Sequence, residues 1–189
     1  MDVWIPPAQL NRAHAAWVTG SAAVRMELVQ ELLAGKPVAA EHAHRVLGYN
    51  LTGRHLALAV WADDLERADP GRLEAVAEQL LRAGGATGTL ILPVGWQRVW
   101  AWGSSVRGTP VEPSTPRLGI RAAAGLPEAD AEGFTLSHAQ AVDSARVGML
   151  SRAGRWLFDY AELDLIAMLS TDLDEARPFT LRELGGLAG

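Results

Sequence analysis

The stretch from Arg54 to Trp61, RHLALAVW, constrains this chain more than any other. It is an apolar run of strand length, and side chains on a strand alternate between two faces. A strand apolar on both faces belongs in the middle of a sheet, with cover on each side. The residues that follow supply such cover. Asp69-Pro70 makes an N-cap and first-turn pair. Leu73, Val76, Ala77, Leu80 and Leu81 then fall at i, i+3, i+4, i+7 and i+8, an amphipathic helix stopped by Gly84-Gly85. Thr89–Val94 and Gln97–Trp102 read as two strands joined by a hairpin at Gly95-Trp96. Gly103 to Pro116, with prolines at 110, 113 and 116, reads as a loop. Leu118–Ala124 reads as a strand, Thr135–Arg152 as a helix and Arg155–Tyr160 as a last strand. The order β-α-β-β-β-α-β predicts the α+β class: a mostly antiparallel sheet of about five strands with helices packed on it.

Upstream, the pattern is helical. Ser21 serves as an N-cap, Met26, Val29, Leu32 and Leu33 share one face, and Gly35 with Pro37 ends the helix. A second short helix carries Ala39, Ala43, Val46 and Leu47 and stops at Gly48. The segment holding Trp4, Pro6-Pro7 and Trp17 reads as the end of a helical upstream region. The expected organisation is therefore an N-terminal helical segment over 1–50, the α+β domain over 51–160, and short C-terminal helices with a Gly-rich tail over 161–189.

Composition narrows the classes of function. With 49% hydrophobic and 21% charged residues, the chain has the makeup of a globular protein. No apolar run reaches the ~18–20 residues of a membrane-spanning helix, and no basic-then-apolar leader opens the sequence; the expected location is the cytoplasm, with no membrane partner. The absence of cysteine removes disulfides, thiolate metal sites and cysteine nucleophiles. Seventeen basic against 22 acidic residues give a net charge of −5, the wrong sign for a module that binds nucleic acid alone. Lys36 is the one lysine, and arginines such as Arg117 and Arg121 are scattered, as solvated surface residues are.

Three segments carry a family likeness. LGYNLTGRHLALAVW, EGFTLSHAQAVDSAR and RWLFDYAELDLIAMLSTD with the closing LRELGGLAG resemble the GGDEF-like regulatory domain of PucR/CdaR-type bacterial transcriptional regulators, over roughly residues 24–189. The resemblance implies a degenerate nucleotide-cyclase (GGDEF-like) fold over 51–160 and a tail that leads to a helix-turn-helix absent from this sequence. It also implies a non-catalytic role in signal sensing or dimerisation, with DNA reached only through that missing element. The expected partners are a second copy of the chain and an unidentified small-molecule effector. The alternative readings are a small-molecule or nucleotide-binding module and, further off, a divergent nucleotide cyclase.

The residues themselves offer little catalytic chemistry. A diguanylate cyclase needs two carboxylates converging on Mg²⁺ and the GTP phosphates. Asp63 and Asp64, just after the first strand, stand where the first would be; the hairpin that should supply the second reads PVGWQR, and no carboxylate occurs between Glu78 and Glu112. His42 and His44 are two apart on a helix and point to different sides, where a zinc pair would want i,i+4 spacing and a third ligand. His55 and His138 are expected to cap or pack. Ser104-Ser105 has no elbow motif around it, and the Gly84–Gly88 turn lacks the Lys-Ser/Thr ending of a phosphate-binding loop. No catalytic, cofactor-binding or metal-ligating residue is therefore expected, and the enzyme reading is set aside. Trp96, Trp100 and Trp102 share strand parity with Arg98 among them, which makes one sheet face either a helix-covered core or a partner and ligand surface. A second candidate surface for self-association is the Leu28, Leu32 and Leu33 side of the N-terminal helix.

Overall fold

Strand β1, Arg54–Ala62, is buried at every position after its first. It lies at the centre of the sheet, as a run apolar on both faces requires. The computed structural model describes residues 21–64, 69–106, 119–151 and 154–164. It divides into two units, Met1–Asn50 and Leu51–Gly189, each described by itself. In the first, helix α1 spans 21–33 and helix α2 spans Ala40–Leu47, which ends on Gly48 in the left-handed conformation. Leu28, Val29, Leu32, Ala43 and Leu47 are buried. With Leu28 and Leu32 sequestered, the leucine side of α1 is not the free surface expected for self-association.

In the second unit, β1 is followed by α3 (Pro70–Ala83), β2 (Gly88–Pro93), β3 (Arg98–Ser104), β4 (Ile120–Ala124), β5 (Glu128–Ala129), α4 (Asp130–Leu150) and β6 (Leu157–Asp159), with a helical turn over 160–164. The strand order is β2-β3-β1-β4-β6, with β5 pairing the start of β1. All pairings are antiparallel except β4 with β6. The α+β expectation is met, with six strands rather than about five. The extra one, β5, is two residues long, too short to leave a pattern in the sequence.

The two faces of the sheet have different cover. Leu56, Leu58 and Val60 of β1 join Val99, Ala101, Ile120 and Ala122 under the apolar stripe of α3, whose Leu73, Val76, Ala77, Leu80 and Leu81 are all buried as the spacing predicts. The Asp69 carboxylate caps this helix by accepting from the Gly71 N–H at 3.0 Å. The opposite face carries Ala59, Trp61, Ala123 and Phe158 against Ala145 of α4. There Gly148 lets the helix lie flat: a methyl group at that position would sit 2.8 Å from the Trp61 ring and 2.9 Å from that of Phe158.

Most element boundaries differ from the sequence reading by one or two residues, and two differences have an identifiable cause. Strand β3 runs on through Gly103 and Ser104, assigned above to a loop, because both pair with β1 on one side and β2 on the other. Helix α4 starts at Asp130 rather than Thr135, with no side-chain cap at Ala129. Its start is set by pairing instead: the Asp130 N–H donates to the Gly53 carbonyl at 2.7 Å, and Asp130 adopts φ +62° to do so. The expectations placed on 1–20, on the loop through Glu112 and Arg117, and on 165–189 lie outside the described residues.

Candidate functional site

The cyclase-like corner is held by an arginine rather than prepared for a metal. Asp63 follows directly after β1, and its carboxylate accepts from Nε of Arg121 in β4 at 2.8 Å. Nη1 of the same guanidinium donates to the carbonyls of Gly148 (2.8 Å) and Ser151 (2.9 Å) at the C-terminal end of α4, the first of which also accepts from the Ser151 N–H at 3.1 Å. One positive group thus serves a helix end, where positive charge is favoured, and the neighbouring carboxylate. Arg121, read from the sequence as scattered surface charge, is only 19% exposed in its side chain. Its strand parity with the buried Ala123 was the available signal that it points under α4.

The hairpin that would face such a corner has no acidic side chain. Val94, Gly95, Trp96 and Gln97 make its tip, closed by the Val94 N–H donating to the Arg98 carbonyl at 2.8 Å. Asp64 is exposed, as are His42 and His44 on α2. Among the described residues no three His, Cys, Asp or Glu side chains gather in a way that could hold a metal ion. Ser104 lies at the end of β3, where its hydroxyl donates to the Gly88 carbonyl at 3.3 Å. The Gly84–Gly88 turn ends α3 and leads into β2.

If Arg121 is a clamp and Asp63 its accessory, the two should contribute unequally to stability. Arg121→Met, which removes three hydrogen bonds of a largely buried guanidinium at once, should cost about 2 kcal/mol. Asp63→Asn should cost no more than about 0.5 kcal/mol, because that carboxylate is 40% exposed and solvent screens the pair. Urea denaturation of both variants checks this, and a larger loss at Asp63 would reverse the assignment.

The three tryptophans of equal parity are graded along β3. Trp96, at the hairpin tip, is 79% exposed; Trp100 is half-buried; Trp102 is fully buried. Trp102 stacks on Phe134 of α4 with ring centroids 4.6 Å apart, and its indole N–H donates to the Phe134 carbonyl at 3.2 Å. His138, one helical turn further along, stacks on Trp102 at 5.1 Å and meets Trp100 edge-on at 4.5 Å. Burial holds the His138 imidazole neutral, pushed down to about 4, and its Nε2 has no hydrogen-bond partner. His55 is buried edge-on against Phe134, with Nε2 2.9 Å from the Leu51 carbonyl; burial lowers its pKa, opposed by that carbonyl and by the charge of Asp130. Both histidines pack, as the sequence reading expected of them. The same face is thus core at Trp102 and open at Trp96.

Between these extremes, α4 and the sheet border an open pocket of about 270 Å³. Trp61 of β1 and Trp100 and Arg98 of β3 form one wall, and Val142, Arg146 and Met149 of α4 form the other. Trp61, Arg146 and Met149 carried no functional signal in the sequence, because only the crossing of α4 over β1 and β3 brings them together.

Further along α4, one helix side chain takes a strand's place. Past Ala124, β4 leaves the ladder: the Gly125 N–H still donates to the Ala57 carbonyl, but the Ala57 N–H donates to Ser137 Oγ at 2.8 Å. A methyl group at position 125 would lie 2.1 Å from the Ser137 carbonyl oxygen, so the helix backbone reaches the sheet there only because residue 125 is glycine.

A mostly antiparallel sheet with β4–β6 parallel at one edge, α3 on one face and α4 on the other defines an α+β domain with helical cover on both faces. The GGDEF-like domain model matches residues 34–147, more than half of the chain, and the chain belongs to that family. Among solved structures it is similar to a regulator of polyketide synthase expression from Bifidobacterium adolescentis, with a TM-score of 0.54 and 14% identity. That match covers 84% of this chain and 63% of the other, so the chain spans less than two thirds of that regulator's length; at this identity the likeness is one of fold. No curated protein matches the chain. No helix among the described residues is long and apolar enough to cross a membrane.

Proposed function

We propose that the chain is a non-catalytic regulatory domain of a cytoplasmic DNA-binding transcriptional regulator of the PucR/CdaR type, serving signal reception or self-association. The observation that carries this reading is the state of the cyclase-like corner. Asp63 is engaged by Arg121, which is itself committed to the end of α4, and the facing hairpin has tryptophan and glutamine where a second carboxylate is needed. The name of the structural relative, a regulator of expression, points the same way.

The deciding experiment is turnover. With GTP and Mg²⁺ or Mn²⁺ the purified chain should yield no cyclic dinucleotide, and turnover abolished by Asp63→Ala would restore the cyclase reading. DNA reading is expected to reside outside these residues, since a net charge of −5 and one lysine oppose binding to a polyanion. In mobility shifts at low salt the chain alone should leave duplex DNA unshifted; tight, sequence-selective retardation would relocate that function here. Sedimentation at micromolar concentration tests self-association, for which the exposed Trp96 hairpin is the remaining candidate surface.

A further inference from the structure

We infer that the pocket between α4 and strands β1 and β3 binds a small organic anion with a flat apolar body and one carboxylate. This goes beyond the regulatory reading and does not depend on it, since it concerns binding by this chain alone. The walls determine the apolar part: Trp61 and Trp100 come from the sheet and Val142 and Met149 from α4, and aromatic walls of this kind favour a planar ring system.

The charge of the ligand follows from the polar side chains of the lining residues, which carry donors only. The side-chain polar groups lining the pocket are the guanidinium groups of Arg98 and Arg146 and the indole N–H groups of Trp61 and Trp100. No carboxylate or amide side chain lines it to accept a bond. Arg146 is paired with Asp143 at 3.0 Å. Arg98 is exposed, and among the described residues its guanidinium has no hydrogen-bond or ion-pair partner, nor does the indole N–H of Trp61 or Trp100, whereas that of the neighbouring Trp102 is satisfied by Phe134. The sealed, unpartnered side-chain atoms among the described residues belong to Arg25, His138 and Ser144 and not to these tryptophans. An apolar slot with surplus donors and one uncompensated positive charge matches an acceptor-rich anion, and a guanidinium matches a carboxylate in shape as well as charge.

The test uses 2-naphthoate as probe, with neutral 2-naphthamide and ringless acetate as controls. Calorimetry on the full chain should give one site with a dissociation constant on the order of 0.1–1 mM for naphthoate. Binding should be about tenfold weaker for the amide and absent for acetate. Arg98→Gln, an exposed substitution, should weaken naphthoate about tenfold while leaving the amide unchanged. Met149→Trp, at a residue 43% exposed, should fill the slot and abolish binding without lowering the melting temperature. Of the seven indole N–H resonances, those of Trp61 and Trp100 should move on titration.

Four results would each overturn the inference: no saturation below 10 mM naphthoate, on the order of a hundred times the tighter expected constant; an amide that binds as well as the acid; naphthoate affinity unaltered by Arg98→Gln; or a dimer in sedimentation whose formation excludes naphthoate. None of them bears on GTP turnover or DNA binding, so the regulatory reading stands or falls separately.

Discussion

A Trp102→Ala variant should lose about 4 kcal/mol of folding stability in urea denaturation, the upper part of the range for removing a buried aromatic. Three separate losses combine there. The indole is fully buried, it stacks on both Phe134 and His138, and its N–H donates to the Phe134 carbonyl. Truncation leaves a cavity between β3 and α4 and removes the indole bond that ties β3 to the Phe134 carbonyl of the helix. Trp102→Phe should recover more than half of the loss, because the ring volume returns while the hydrogen bond does not. A loss below about 1.5 kcal/mol for the alanine variant would mean that α4 closes onto β3 without it, and that the stack does not fix the helix.

Acidification should destabilise the protein through His138, by up to about 3 kcal/mol between neutral pH and pH 4. Burial pushes this imidazole down from its ordinary 6.5 to about 4. Between those values the unfolded chain takes up a proton that the native state refuses. The stabilisation is therefore complete above the unfolded value and is lost as the pH falls towards the folded one. A difference of about 2.5 pH units at 1.36 kcal/mol each gives the magnitude. His55, also lowered by burial, adds to the slope in the same direction. Asp159 opposes it: burial raises its carboxyl, so its contribution is present at low pH and fades as the pH rises. The measurement is thus a comparison, wild type against His138→Leu, by urea midpoint from pH 7 to pH 4. The variant should lack most of the acid slope, and parallel curves would show that His138 is protonated in the folded protein.

The parts legible in the sequence are those whose burial is written in apolar letters. RHLALAVW could only be a central strand, and the leucine and valine spacing of α3 named its buried face residue by residue. Helix α4 was harder, although its buried positions, Phe134, Ser137, His138, Ala141, Ser144, Ala145 and Gly148, follow a helical period. The letters there are small or polar, because the helix packs close enough for Ser137 to bond to β1 and for Gly148 to meet two aromatic rings. A search for apolar periodicity passes over such a face, and with it the true start of the helix. Parity placed Trp96, Trp100 and Trp102 on one side but could not say where along β3 the crossing helix would lie, which decides whether each is core, pocket wall or exposed tip. The role of Arg121 was concealed for a related reason: its three acceptors come from β1 and the far end of α4, distant in sequence.

Two of the contacts between helix α4 and the sheet differ in stiffness, and this would let the helix tilt as a lever. At Gly125 the contact is backbone against backbone, with no side chain between them to yield. At Gly148 it is backbone against the Trp61 and Phe158 rings, which can tilt. Ser137 is thus the fulcrum. The pocket lies on the long arm, which reaches from Ser137 to Met149 over about 18 Å at 1.5 Å per residue. The short arm runs back to Asp130 over about 10 Å. A wedge that lifted the long arm would swing the short one the opposite way by a little over half the distance. That arm ends where Asp130 is bonded to Gly53 and β5 is paired to the start of β1, so a displacement made at the pocket would be delivered at the entrance of the central strand.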